Sequence, residues 1–184
     1  MNSHAFSFVP ATAIDAAELS GFAARTFAET FGKDNTVEDM QTYVRETFSP
    51  DLQAREIAEP GALLLLARRG DGGELAGYAH LMRNETERPA TIAASDEVIE
   101  LRRFYVGKAW HGSGLASALM TETLRHARML GAQTLWLGVW EHNGRAIAFY
   151  RKQGFREIGT HPFQLGSDLQ TDLLLAMSLG AISG

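Results

Sequence analysis

The chain contains no cysteine. Disulfides, thiolate metal sites and an acyl-cysteine intermediate on this chain are therefore excluded. Long apolar runs are missing as well. The longest, Ala62 to Ala67 and Leu173 to Met177, fall far short of the ~20 residues that a membrane-spanning helix needs. Met1-Asn2-Ser3-His4 has no basic region and no apolar stretch, so no signal peptide is expected and a cytoplasmic location is. Positive charge is in deficit: 17 Lys and Arg against 22 Asp and Glu leave a net charge of −5. A nucleic-acid binder wants a basic field. Neither a nucleic-acid nor a membrane partner is therefore expected. The six histidines show no ligand spacing, and no metal is expected.

What is present is ordinary for a globular protein. With 184 residues, 45% hydrophobic and 21% charged, the chain reads as one domain over 1–184. Phe6 to Pro10 is a short first strand. Thr12-Ala13-Ile14-Asp15 resembles a capping box with Asp in place of Glu. Leu19, Phe22, Ala23, Phe27 and Phe31 then mark one helical face, ended by Gly32. Thr36 opens a second helix with Val37, Met40, Val44 and Phe48 as its stripe. Ser49-Pro50 suits the start of a third, over Asp51 to Glu59. Ala62 to Arg68 reads as a buried strand, Gly70 to Gly73 as a hairpin turn and Glu74 to Met82 as its partner. Residues 83–96 are polar and irregular and read as a loop. Thr134 to Trp140, Phe155 to Phe163 and Leu169 to Ser178 are further strands, with a helix over Asn143 to Gln153. Such an alternation makes a mixed α/β layer.

The most informative stretch runs from Val98 to Leu130. Val98 to Val106 is a strand. His111-Gly112-Ser113-Gly114 is a glycine turn, and a helix starts at Leu115. Arg125, His126 and Arg128 suit its C-terminal end, and Gly131 its stop. A glycine loop feeding a helix offers free backbone N–H groups at the positive end of the dipole. That is an anion site, well suited to a pyrophosphate. No Lys follows as a P-loop requires. Ser117 stands where a dinucleotide fingerprint wants a third small residue.

A third loop pattern, Gln/Arg-x-x-Gly-x-Gly/Ala, is met by His111, Gly114 and Ala116 behind a strand ending in Val106. This resembles the acetyl-CoA loop of the GNAT superfamily of N-acetyltransferases. Asn143, Ala146, Phe149-Tyr150 and Gly154-Phe155 resemble the second signature of that family. Thr26 to Gly32, Leu137 to Glu141, Phe163 to Gly166 and Gln170 to Asp172 look like the narrower PaiA-type bacterial spermine/spermidine acetyltransferases. The resemblance covers Phe6 to Leu179. It implies a single-domain GNAT fold: a mixed, twisted sheet of about six or seven strands with helices on both faces.

The reaction so implied is attack of a primary amine, of a small molecule such as a polyamine, on the acetyl-CoA thioester in a ternary complex. Backbone groups of Phe104, Tyr105 and Val106 would meet pantetheine and polarise the thioester carbonyl, where the family has a β-bulge. His111, Gly112, Ser113, Gly114, Leu115 and Ala116 would hold the pyrophosphate. His111 departs from the usual Gln or Arg. Tyr150 matches the general acid that protonates the departing thiolate; its rival role is packing beside Phe149. Asn143 would bond the pantetheine arm, cap its helix, or both. Glu100 matches a general base, with an Arg102 ion pair as the alternative. Glu29, Phe31 and Trp140 are candidates for the substrate slot. Lys108, Arg145 and Lys152 are candidates for the 3′-phosphate. The resemblance also allows a homodimer. Two other functions stay open: acetylation of a protein or peptide amine, and a catalytically silent acyl-CoA-binding regulatory module.

Overall fold

A computed structural model describes residues 6–83, 88–94, 96–165 and 168–180. Its seven described strands are β1 (Phe6–Pro10), β2 (Ala62–Arg69), β3 (Leu75–Met82), β4 (Val98–Val106), β5 (Thr134–Trp140), β6 (Arg156–Leu165) and β7 (Asp168–Ser178). They form one sheet in the order β1-β2-β3-β4-β5-β7-β6. Among these neighbours only β4 and β5 run parallel. That parallel step is made by α4 (Leu115–Met129), as a crossover connection requires. The fold is the mixed α/β layer expected, and the sheet has the upper of the two strand counts.

Local sequence explains the helices. Between β1 and β2 lie three: α1 (Ala16–Phe31), α2 (Val37–Thr47) and α3 (Pro50–Ala58). Thr36 and Ser49 cap the second and third, accepting from the N–H groups of Asp39 and Leu52. The Thr12 box forms as expected, with Asp15 in the place of Glu. Asp15 accepts from the Thr12 N–H and hydroxyl, capping a short 3₁₀ turn that leads into α1. Asn143 caps α5 (Gly144–Lys152) through the Ala146 N–H at 3.2 Å.

Two apolar layers sandwich the sheet. On one face Leu65, Ala79, Leu81, Leu101, Leu135 and Leu137 meet Leu119 and Met120 of α4 and Tyr150 of α5. On the other, Leu64, Leu66 and Tyr78 meet Leu19, Phe22 and Phe27 of α1, with Met40 of α2. β3 is buried along its whole length, so apart from His80 it reads as an apolar run rather than an alternation. Each fully buried Leu contributes roughly 2 kcal/mol of burial free energy.

The β3–β4 ladder carries one irregularity. Leu81 pairs Leu101 and His80 pairs Arg103, so Arg102 is an extra residue in β4. This bulge lies three residues before Tyr105, earlier than expected. Its effect is to reverse the facing of the residues beyond it. Phe104 and Val106 join Leu101 on the α4 face, while Tyr105 turns to the α1 face.

Candidate active site

The site begins where two parallel strands part. β4 and β5 pair only over Val98–Thr134, Ile99–Leu135 and Glu100–Trp136. Beyond that point β5 continues along β7, and β4 along β3. The sheet therefore opens into a wedge between Leu101–Val106 and Leu137–Trp140. In such a wedge the facing main-chain groups of both strands have lost their ladder partners.

The glycine loop closes one end of the wedge. Gly112 and Gly114 hold φ of 81° and 90°, which glycine alone adopts without strain. A Cβ on either would meet nothing within 4 Å, so the loop's outer surface is open. Among the described residues the N–H groups of Gly112, Gly114, Ala116 and Ser117 find no acceptor. They cluster at the N-terminus of the 15-residue α4. Two members of the expected set play other parts. Leu115 is fully buried and its N–H already reaches Ser113 Oγ at 3.3 Å. It anchors the loop in the core. The His111 ring lies 3.0 Å from the Val106 carbonyl through Nε2 and 2.8 Å from Arg145 through Nδ1. His111 thus ties β4 to α5.

Tyr150 supplies the other boundary. Its ring packs against Phe104, Phe149 and Phe155, with centroids 6.3, 5.5 and 5.7 Å away. This packing leaves the hydroxyl without a hydrogen bond among the described residues. Burial holds the phenol above its ordinary pKa. It is therefore protonated and free to donate. Asn143 spends its side-chain oxygen on the α5 cap.

These features have counterparts in known proteins. A sequence model described as the Acetyltransferase (GNAT) family matches residues 24–155. The chain belongs to the GNAT family of acetyltransferases. It is 37% identical over 169 residues to an uncharacterised N-acetyltransferase of Lactobacillus delbrueckii subsp. lactis, covering 90% of this chain and 92% of that protein. An uncharacterised N-acetyltransferase of Mycobacterium tuberculosis is 34% identical over 165 residues, covering 90% and 98%. In fold it is similar to the PaiA N-acetyltransferase of Thermoplasma acidophilum, solved with coenzyme A. There the TM-score is 0.73 at 18% identity, over 95% of this chain and 99% of that one.

For this GNAT acetyltransferase, acetyl-CoA is the expected co-substrate, and the residues present fit it. Four unpartnered N–H groups match a pyrophosphate in number and charge, and the parted strands leave a slot for an extended arm. A surface depression of about 310 Å³ beside Glu18, Arg25 and Leu75 contains none of these groups. Among the described residues no cluster of three or more His, Asp or Glu could hold a metal.

The opposite face of the wedge sorts the remaining candidates. Glu100 bonds Arg102 at 3.2 Å, so the ion pair foreseen as its alternative exists. Phe31 and Trp140 do meet, with ring centroids 5.9 Å apart. Glu29 does not join them. It is exposed, because Phe27 and Phe31 occupy the inward i, i+4 positions of α1 and residue 29 lies on the other side. Part of the loop over 83–96 falls outside the described residues. Within it, Arg88 donates to the Ala93 and Asp96 carbonyls.

This face also holds residues that sequence reasoning missed. His161 and Asp172 are cross-strand partners on β6 and β7. Both approach Gly138 of β5. Burial pushes the Asp172 carboxyl up, and His161 beside it pulls the other way. Both strands carry several other polar residues, so nothing in the sequence singled these two out.

Proposed function

We propose that the protein transfers the acetyl group of acetyl-CoA to a primary amine of a small molecule, by direct attack in a ternary complex. One observation carries this reading. The wedge between β4 and β5 is bounded at one end by unpartnered N–H groups and flanked by a Tyr150 hydroxyl that is protonated and unengaged among the described residues. A protein that only bound acyl-CoA would have no use for that hydroxyl.

The bound co-substrate supplies an activated acyl thioester. The chain does the rest. Gly112, Gly114 and Ala116 hold the pyrophosphate through main-chain N–H groups. The freed edge of β4 around Phe104, Tyr105 and Val106 orients the pantetheine arm and polarises the carbonyl. Tyr150 gives a proton to the leaving sulfur. Arg102 keeps Glu100 in place below the wedge. Phe31 and Trp140 form an aromatic wall, which suits an alkylammonium by cation–π attraction. A polyamine is the acceptor class that this wall and the protein's acidity favour.

Acetyl-CoA-dependent thiol release, read with a thiol reagent, tests the reading. The absence of cysteine removes any protein background. A panel of spermidine, spermine, aminoglycosides, amino acids and short peptides separates the acceptor classes. Turnover on polyamines supports the proposal. Turnover on peptides alone replaces it with protein acetylation. Coenzyme A binding without turnover on any amine replaces it with a regulatory module.

A further inference from the structure

Asp172 and His161 sit directly opposite each other across β7 and β6, so both side chains rise from one face of the sheet. Asp172 is also paired with Trp140 of β5. A Cβ built on Gly138 would lie 3.2 Å from Asp172 Oδ2 and 3.5 Å from His161 Nε2. Both polar atoms therefore lean over the bare backbone of β5. Gly138 is two residues beyond Trp136, the last residue paired with β4. The pair thus overhangs the opening of the wedge.

Among the described residues, the fold does not use these two atoms. The half-buried Asp172 carboxylate has no hydrogen bond and no ion pair among the described residues. His161 Nδ1 lies 2.7 Å from the Pro162 carbonyl. A carbonyl can only accept, so Nδ1 carries the proton and the Nε2 lone pair is left over Gly138. A desolvated carboxylate without a donor is unfavourable. A cation arriving from solution would relieve it.

The surroundings define that cation. Trp140 and Phe31 stand beside Asp172 as an apolar wall. Tyr43 of α2 is close enough for Asp172 to raise its phenol. Tyr43 and Tyr150 in turn both raise Tyr105. Tyr43 packs with Tyr105 in the apolar layer on one face of the sheet, and Tyr150 lies in the layer on the other.

We propose that Asp172 and His161 form the acceptor station, where the Asp172 carboxylate holds the incoming alkylammonium and His161 Nε2 removes its proton. This rests on the acetyl-transfer reading above. R–NH3⁺ gives one proton to Nε2, and the imidazolium formed is stabilised by Asp172. The nitrogen lone pair then forms the C–N bond as the thioester C–S bond breaks. A second N–H proton leaves to water, and Tyr150 protonates the sulfur and is reprotonated from water. When His161 discharges, the net result is amide, free thiol and one proton released.

The test uses spermidine and the whole protein. First, ring-nitrogen NMR of His161 is followed in the coenzyme A-saturated protein as spermidine is added. The Nε2 resonance shifts in the wild type. Asp172→Asn weakens spermidine binding at least ~tenfold, with coenzyme A affinity unchanged. Second, steady-state kinetics separate the two roles. Asp172→Asn raises the KM for spermidine by more than it lowers kcat. His161→Gln lowers kcat by about 10²-fold, and its residual rate climbs about tenfold per pH unit as free amine accumulates. The titratable group beside His161 is Asp172 from β7, and Tyr43 from α2 lies near Asp172. The charges of α2 are exposed (Glu38, Arg45, Glu46) or held at its cap (Asp39). Turnover undiminished in both variants overturns the station alone. Coenzyme A binding without wild-type acetylation of spermidine, propylamine or a lysine peptide overturns the transferase reading, and the station with it.

Discussion

Arg145 and His111 are joined at 2.8 Å, from the first turn of α5 to the loop ahead of α4. The far nitrogen of the same ring contacts the Val106 carbonyl. That carbonyl accepts, so Nε2 carries the proton and Nδ1 receives the guanidinium N–H. One imidazole thus braces the end of β4, the pyrophosphate loop and α5. Where the family pattern has Gln or Arg, this chain has a brace.

Arg145→Ala removes that brace. The ring keeps its bond to Val106, but α5 is no longer tied to the loop. Coenzyme A affinity falls about tenfold, equivalent to ~1.4 kcal/mol, while thermal stability changes little because the pair is exposed. Calorimetric titration with coenzyme A checks this.

Tyr150→Phe deletes one oxygen that bonds nothing among the described residues. The ring contacts with Phe104 and Phe155 survive. Stability and coenzyme A affinity therefore stay near wild type. The rate of thiol release falls by about 10²-fold or more, the usual worth of a positioned general acid. A melting curve beside the kinetics separates this from a packing defect.

Arg103 and Glu56 form a two-pronged ion pair at 2.6 and 2.9 Å. Their side chains are only 12% and 18% exposed, so this is no surface pair. Arg103 also stacks over Phe48 at 5.1 Å. Glu56→Gln leaves the guanidinium desolvated without its counter-charge, at a cost of about 3 kcal/mol or more. Denaturant midpoints report the loss.

His80 lies fully buried with neither ring nitrogen bonded among the described residues. Burial, with Arg103 and Arg102 nearby, lowers its pKa to about 3. The unfolded chain, with an ordinary histidine near ~6.5, takes up the proton first. Stability from this residue is therefore complete above pH ~6.5 and drains as pH falls toward 3, by up to about 5 kcal/mol. His80→Leu keeps the volume and removes two unpartnered nitrogens. It is neutral or stabilising at pH 7, and its stability declines less steeply between pH 6.5 and 4. Denaturant titrations at several pH values measure the slope.

Chain-local features were legible in the sequence alone. Gly112 and Gly114 ahead of an amphipathic helix, Asn143 ahead of Ala146, and the apolar run of β2 each depend on neighbours within a few residues. Backbone sterics and hydrogen-bond geometry act at that range, so the sequence determined the loop, the caps and the buried strands. It also determined the family, because both motifs are contiguous.

The tertiary structure decided what depends on register and on pairing between distant strands. The extra residue Arg102 turns Arg103 toward Glu56 and Phe104 toward Tyr150, and period-two alternation read along β4 would place both on the wrong faces. The parting of β4 from β5 beyond Glu100 is a matter of pairing between strands that α4 separates in the chain. His161, Asp172 and Gly138 come from three strands, and only the β5-β7-β6 register brings them to one point. A side chain's facing is a local property only while the ladder is regular; one bulge makes it a property of the whole sheet.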